Sequence, residues 1–235
     1  MKVIVLGDIH GNLPALEVVL REARAEGYDI LCHTGDLTGC APFPEETVSL
    51  VRSAKVPGVR GHVDDRLAAG EGSPGSLEAD PGVRDFLEKA YAWTLQHTRK
   101  ATRDYLGNLP FELRFEMGGL RATLLHATPI DTLTCLWEDR DEDYFRELGD
   151  AAEADVILFG HTHRHYHRIV DGRHFINAGS VGFPQDGDPR TGYVVVKTNG
   201  NVEVQVRRYP YNRERLLRVA AARRFPHQAA RVFRT

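Results

Sequence analysis

The sequence predicts an α/β protein of layered architecture, with parallel strand–helix–strand units first and antiparallel strands later. Three observations predict it. Short apolar runs, among them Lys2–Leu6 and Val156–Phe159, stop at a glycine followed by Asp or His, as buried strands do at the edge of a sheet. The segments between the first runs carry apolar residues at helical spacing. In the last third, Asp171-Gly172 and Asn199-Gly200 each separate two apolar runs, a strong hairpin signal.

Lys2–Leu6 reads as a buried strand ending in Gly7-Asp8-Ile9-His10-Gly11-Asn12. Asn12 can cap a helix over Leu13–Ala25, with Leu13, Leu16, Leu20 and Ala23 on its apolar face and Gly27 at its end. Tyr28–Thr34 is the next strand, ending in Gly35-Asp36, and the unit closes by a right-handed crossover. Pro44 and Glu45 open a second helix to about Ala54. Val56–Arg60 reads as a third strand, ending in Gly61-His62-Val63-Asp64. Ala69–Pro81, rich in Gly, Pro, Ser and acid, suggests an exposed loop. A helical insert follows over about 82–107, with Phe86, Leu87, Ala90, Trp93 and Leu95 apolar.

Phe111–Phe115 and Arg121–Leu125 read as strands joined through Gly118-Gly119, the second ending at His126. An acidic helical segment, Asp139–Ala154, leads into D-V-I-L-F-G-H-T-H at Asp155–His163. There Gly160 turns the chain after four apolar residues. If the backbone stays extended, residues two apart share a side, which aims His161 and His163 at one spot. His165–Val170 then pairs with His174–Asn177, and Tyr193–Lys197 with Val202–Val206.

At 235 residues, with 42% hydrophobic and 27% charged side chains, the chain suits one globular domain, 1–235, with ample core. No apolar run approaches the roughly 20 residues of a membrane span, and the start lacks the pattern of a signal peptide. Cys32, Cys40 and Cys135 form no C-x-x-C pair and read as free thiols, so a cytoplasmic protein is expected. The net charge of −3 hides a basic tail: residues 207–235 hold nine arginines and one acid, Glu214. Such a tail could track a nucleic-acid backbone. A helix docked on the acidic body explains it as well and is the favoured reading.

Five apolar runs end in the same residue types: Asp8 and His10; Asp36; His62 and Asp64; His126; and His161 with His163. Ligands of open α/β sheets bind beyond the carboxyl ends of the strands, so a shared edge would gather these side chains. Several acids and histidines in one place require positive charge. Imidazole and carboxylate without thiolate suit Mn, Fe, Zn or Ni better than Ca. Six or seven ligands exceed one ion's need and suggest two ions about 3.5–4 Å apart.

D-I-H at Asp8, G-D at Asp36, G-H-V-D at His62, His126 and G-H-T-H at His161 resemble the calcineurin-like metallophosphoesterase family. Asn177-Ala178-Gly179-Ser180-Val181-Gly182, followed by Asp188-Pro189-Arg190, is similar to its compact bacterial and archaeal phosphodiesterase branch. The resemblance implies a four-layer α/β/β/α sandwich with mixed sheets and two divalent metal ions, with Mn²⁺ favoured over Fe, Zn, Ni or Mg. By position, it implies Asp8, His10 and His163 on one ion, His126 and His161 on the other, and Asp36 between them. The activity it implies is hydrolysis of a small phosphoester, nucleotides included, by a metal-bridging hydroxide. Phosphodiesters are favoured.

Two departures stand out. The family usually reads G-N-H-D or G-N-C-D where this chain has Gly61-His62-Val63-Asp64. His62 can replace the asparagine as second-site ligand and phosphate contact, and Asp64 would then orient a neighbouring histidine. Val63 stands where many members carry a histidine thought to protonate the leaving group, and valine has no proton to give. His165, two residues beyond His163, could touch substrate, and Arg60 and Arg190 could pair with phosphate. Two other functions use the same features: a protein-binding scaffold, since a retromer subunit shares this fold, and a hydrolase of carboxylic esters or amides.

Overall fold

The structure, a computed structural model, describes residues 1–75 and 80–233. In chain order its elements are β1 (Lys2–Leu6), α1 (Leu13–Glu26), β2 (Ile30–His33), α2 (Pro44–Ser53), α3 (His62–Ala69), α4 (Pro81–His97) and α5 (Lys100–Gly107). There follow β3 (Leu113–Met117), β4 (Leu120–Leu124), α6 (Glu142–Ala152), β5 (Val156–Phe159), β6 (His165–Val170) and β7 (Arg173–Ala178). The chain closes with β8 (Thr191–Thr198), β9 (Val202–Tyr209), α7 (Arg213–Ala222) and α8 (Ala229–Val232).

The strands form two mixed sheets, ordered β2-β1-β8-β9 and β3-β4-β5-β7-β6. Strand alternation explains how they stack. Val3 and Val5 of β1 and Val194 and Val196 of β8 point inward, against Ala122 and Leu124 of β4, Val156 and Leu158 of β5, and Ile176 of β7. The opposite faces carry helices. Ile4 and Leu6 pack on Leu16, Val19 and Leu20 of α1 and on Val48 and Val51 of α2. Ile157, Phe159 and Phe175 pack on Phe145, Leu148 and Ala152 of α6. The result is the α/β/β/α sandwich. Central strands buried on both faces need unbroken apolar runs, which is why K-V-I-V-L and V-I-L-F lack polar alternation.

β1 runs parallel to β2, and β4, β5 and β7 run parallel to one another. An isolated bridge, Asp8 to Ser180, joins the carboxyl ends of the two parallel groups. The candidate ligands therefore collect at an edge shared by the two sheets of the sandwich.

The expected third strand does not form: Val56–Arg60 makes only an isolated bridge, between Gly58 and His33. His62 then opens helix α3, with Asp64 at its third position accepting the backbone N–H of Gly61 (3.0 Å). The helical insert is two helices, broken at Thr98-Arg99. Of the expected loop Ala69–Pro81, residues 76–79 lie outside the described residues.

The basic tail begins inside β9 and docks on the body. Leu216, Ala220, Phe225 and Phe233 are buried in a cluster with Phe86, Trp93 and Phe43. Arg207, Arg215 and Arg223 ion-pair with Glu26, Glu17 and Glu46. Among the described residues, no helix is long and apolar enough to cross a membrane.

Candidate metal centre

The first ligand loop follows β1. The Asp8 carboxylate accepts the Thr34 hydroxyl (2.8 Å) and the backbone N–H of His161 (3.0 Å), tying three strand ends together. His10 donates Nδ1–H to the Thr38 carbonyl (3.1 Å), which leaves Nε2 facing inward. His126 is fixed the same way, by Nδ1–H on the Thr34 carbonyl (2.9 Å). His161 donates Nε2–H to the Leu133 carbonyl (2.8 Å), and its buried Nδ1 has no partner. Each ring is thus held by one nitrogen and offers the other, the usual arrangement of a metal-binding histidine.

Three groups of donor atoms lie within 4.8 Å of one another: Asp8, His10 and His163; His62, His126 and His161; and Asp8, Asp36 and His126. In the first, His163 Nε2 is 2.9 Å from His10 Nε2 and 3.0 Å from Asp8 Oδ2. In the second, His62 Nδ1 is 3.0 Å from His126 Nε2. Metal–nitrogen bonds of about 2.1 Å set neighbouring ligand atoms about 3.0–3.4 Å apart, for angles from about 90° to tetrahedral. Asp36 joins the groups. Its Oδ1 accepts the Val63 N–H (2.9 Å), while Oδ2 is buried without a hydrogen-bond partner. That oxygen lies 3.1 Å from His62 Nδ1, 3.6 Å from His126 Nε2 and 3.9 Å from His10 Nε2. The donor set fits divalent metal.

The electrostatics agree. Burial, with the neighbouring His163, lowers His10 to about 3. Burial and His126 lower His161 to about 3. His62 is driven well below its ordinary value by burial and by His161 and His126. Neutral imidazoles are the form that binds metal. Burial, Asp8 and Asp64 push Asp36 well above the carboxylate range, a demand for positive charge at that oxygen.

Four of these residues, His10 (φ 53°), Asp36 (φ 47°), His161 (φ 67°) and His163 (φ 57°), adopt left-handed backbone. This overturns the extended reading of H-T-H: His161 and His163 turn into different groups, not toward one spot. Gly160 has a spatial reason, since a Cβ there would sit 2.3 Å from Asp8 Oδ1. Gly160→Ala is therefore expected to displace Asp8 and weaken Mn²⁺ binding about 10–100-fold, the usual effect of disturbing a ligand's support. Titration calorimetry checks this, and unchanged affinity would show that Asp8 is not a ligand.

The calcineurin-like phosphoesterase superfamily domain matches residues 1–201. The chain belongs to that superfamily. It is 26% identical over 243 residues to the uncharacterized protein MJ0912 of Methanocaldococcus jannaschii, covering 95% of this chain and 93% of that one. The structure is similar to that of the hypothetical protein PH1004 from Pyrococcus horikoshii (TM-score 0.84, 20% identity, covering 99% and 97% of the two chains). It is also similar to a metallophosphoesterase from Sphaerobacter thermophilus (TM-score 0.76, 24% identity, covering 99% and 98%). Membership makes this a chain of metal-dependent phosphoester hydrolase type.

His62 joins His126 and His161 because the first turn of α3 carries it there. Asp64 does not orient a histidine, as the sequence reading had it. Its oxygens accept the backbone N–H groups of Leu37 (3.0 Å) and Gly61 (3.0 Å), so it holds the Asp36 loop against α3. His165 is not in the cleft. It packs over Gly179, with Nδ1 2.9 Å from Asp186. Arg60 pairs with Asp65 and Arg190 with Asp188, so neither is aimed at substrate.

Sequence reasoning missed Trp137 and Arg164, which line the cleft over the metal residues. Arg164 directly follows His163, a signal that could have been used. Trp137 carried none, being in a loop whose path depends on tertiary contacts.

Proposed function

We propose that the chain hydrolyses phosphodiesters at a centre of two divalent transition-metal ions, Mn²⁺ foremost. The observation that carries this reading is Asp36 Oδ2, buried, unpartnered and facing imidazoles of both ligand groups. Asp8, His10 and His163 would hold one ion, His62, His126 and His161 the other, and Asp36 both. When bound, the ions supply Lewis acidity toward the phosphoryl oxygens and a nucleophilic water at neutral pH.

The chain's own residues favour a diester. Among the described residues lining the cleft, Arg164 is the one lysine or arginine, which suits a singly charged diester better than a dianionic monoester. Val63 lines the same cleft and donates no side-chain proton, so a leaving group must depart with little help. Turnover is accordingly expected to fall steeply as leaving-group pKa rises, from p-nitrophenolate to alkoxide.

The test is hydrolysis of bis-p-nitrophenyl phosphate by chelator-stripped protein, before and after Mn²⁺. Expected is an inactive stripped protein, restored as two equivalents bind. Full activity at one equivalent would remove the dinuclear reading, and no turnover with any transition metal would remove the hydrolase.

A further inference from the structure

We infer that the cleft beside the metal residues accepts an ester arm bearing a planar aromatic ring, selected by Trp137 and Arg164; this rests on the phosphodiesterase reading above. The cleft encloses about 310 Å³, and beyond the candidate ligands its walls include Leu87 and Tyr91 of α4, Leu133, Trp137 and Phe183. Beyond the histidines, few side chains there can hydrogen-bond an arm: Arg164, Gln185, Thr162, the Trp137 indole N–H and the Tyr91 hydroxyl, which already donates to the Glu71 carbonyl. A polyhydroxylated arm would lose more water than these few groups replace. A flat ring loses little polar hydration and gains stacking.

The wall is pre-built. The Asp131 carboxylate accepts the N–H groups of Leu133 (2.8 Å) and Thr134 (2.6 Å), closing the loop before Trp137. The Leu133 carbonyl takes the ring Nε2–H of His161, and the carbonyl of buried Leu136 takes the Tyr166 hydroxyl (2.6 Å). The chain carrying the indole is therefore tied to a candidate ligand on one side and to β6 on the other. A fixed surface loses little entropy when a ring settles on it.

Arg164 completes the feature. Its guanidinium lies 5.4 Å from the Trp137 ring centroid, a cation–π contact, and among the described residues it has no carboxylate partner. Arg60, Arg190 and Arg208, by contrast, are paired with Asp65, Asp188 and Asp186. An unpaired guanidinium next to His163 is placed to take a non-bridging phosphoryl oxygen while the arm lies along the apolar wall.

The test keeps p-nitrophenolate as leaving group and varies the other arm among methyl, phenyl and 5′-thymidyl, with Mn²⁺-loaded protein. The phenyl ester is expected to exceed the methyl ester in kcat/KM about tenfold or more. Trp137→Ala should bring that ratio close to one, and Trp137→Phe should retain most of it. Arg164→Ala should lower kcat/KM for all three esters, with Arg164→Lys recovering part. A thymidyl ester better than phenyl assigns a nucleoside arm, and the reverse assigns a simple aryl arm. Calorimetric affinities of phenylphosphonate and methylphosphonate give the same ratio without turnover. If no ester reacts but phenylphosphonate binds tighter and Trp137→Ala removes the difference, the hydrolase reading fails and the aromatic subsite stands. A wild-type ratio near one in both measurements, or one that Trp137→Ala does not move, overturns the inference.

Discussion

Asp36→Asn is expected to lower bis-p-nitrophenyl phosphate turnover by about 10³-fold or more, the equivalent of several kcal/mol of lost charge stabilisation. Asparagine nearly matches aspartate in shape and can keep the bond from the Val63 N–H to Oδ1. What it removes is the negative oxygen between the two imidazole groups. Because burial, Asp8 and Asp64 already push Asp36 far above the carboxylate range in metal-free protein, the neutral amide resembles the protonated acid. Metal-free Tm should therefore change little. The rise in Tm on adding Mn²⁺, which reports binding to the native state, should shrink sharply. Turnover within tenfold of wild type would mean that Asp36 is structural and the dinuclear reading is wrong.

The second large effect concerns stability. Phe86→Ala is expected to cost about 3–5 kcal/mol, the range for deleting a fully buried aromatic. The Phe86 ring is fully buried, with its centroid 6.4 Å from Phe183, 6.2 Å from Phe225 and 6.3 Å from Phe233. It is the point where α4, the C-terminal segment and the site meet. Phe183 in turn packs 5.6 Å from His163 and 6.5 Å from His10, so weaker Mn²⁺ binding should accompany the loss. Urea unfolding of metal-free protein measures the first effect and calorimetry the second. A loss below about 1 kcal/mol would show that the aromatic cluster collapses without penalty.

How far the sequence could be read followed from where the information lies. The strand framework was legible because β1 and β5 are buried on both faces, β2 and β4 are buried toward their carboxyl ends, and all four end sharply at the ligand loops. Asp8, His10, Asp36, His126, His161 and His163 were legible for the same reason, since each closes such a run. What escaped depends on contacts distant in sequence. The left-handed turn at His161 goes with its N–H bond to Asp8, 153 residues away. Val56–Arg60 has strand composition, yet it touches β2 at one bridge only. His165 looked like part of the histidine array, but β6 turns it onto Gly179 and Asp186.

The placement of β1 bears on how the molecule comes into being. This first strand made pairs with β8, matching Val3 to Val196, and its carboxyl end meets groups just after β7. A nascent chain therefore cannot settle its amino-terminal strand into the finished sheet until most of the polypeptide has left the ribosome. Non-local pairing of this kind slows folding. Asp8 and His10 likewise cannot meet His163 until that later loop has emerged. A chain cut short before His161 would lack a member of the group of Asp8, His10 and His163 and a member of the group of His62, His126 and His161.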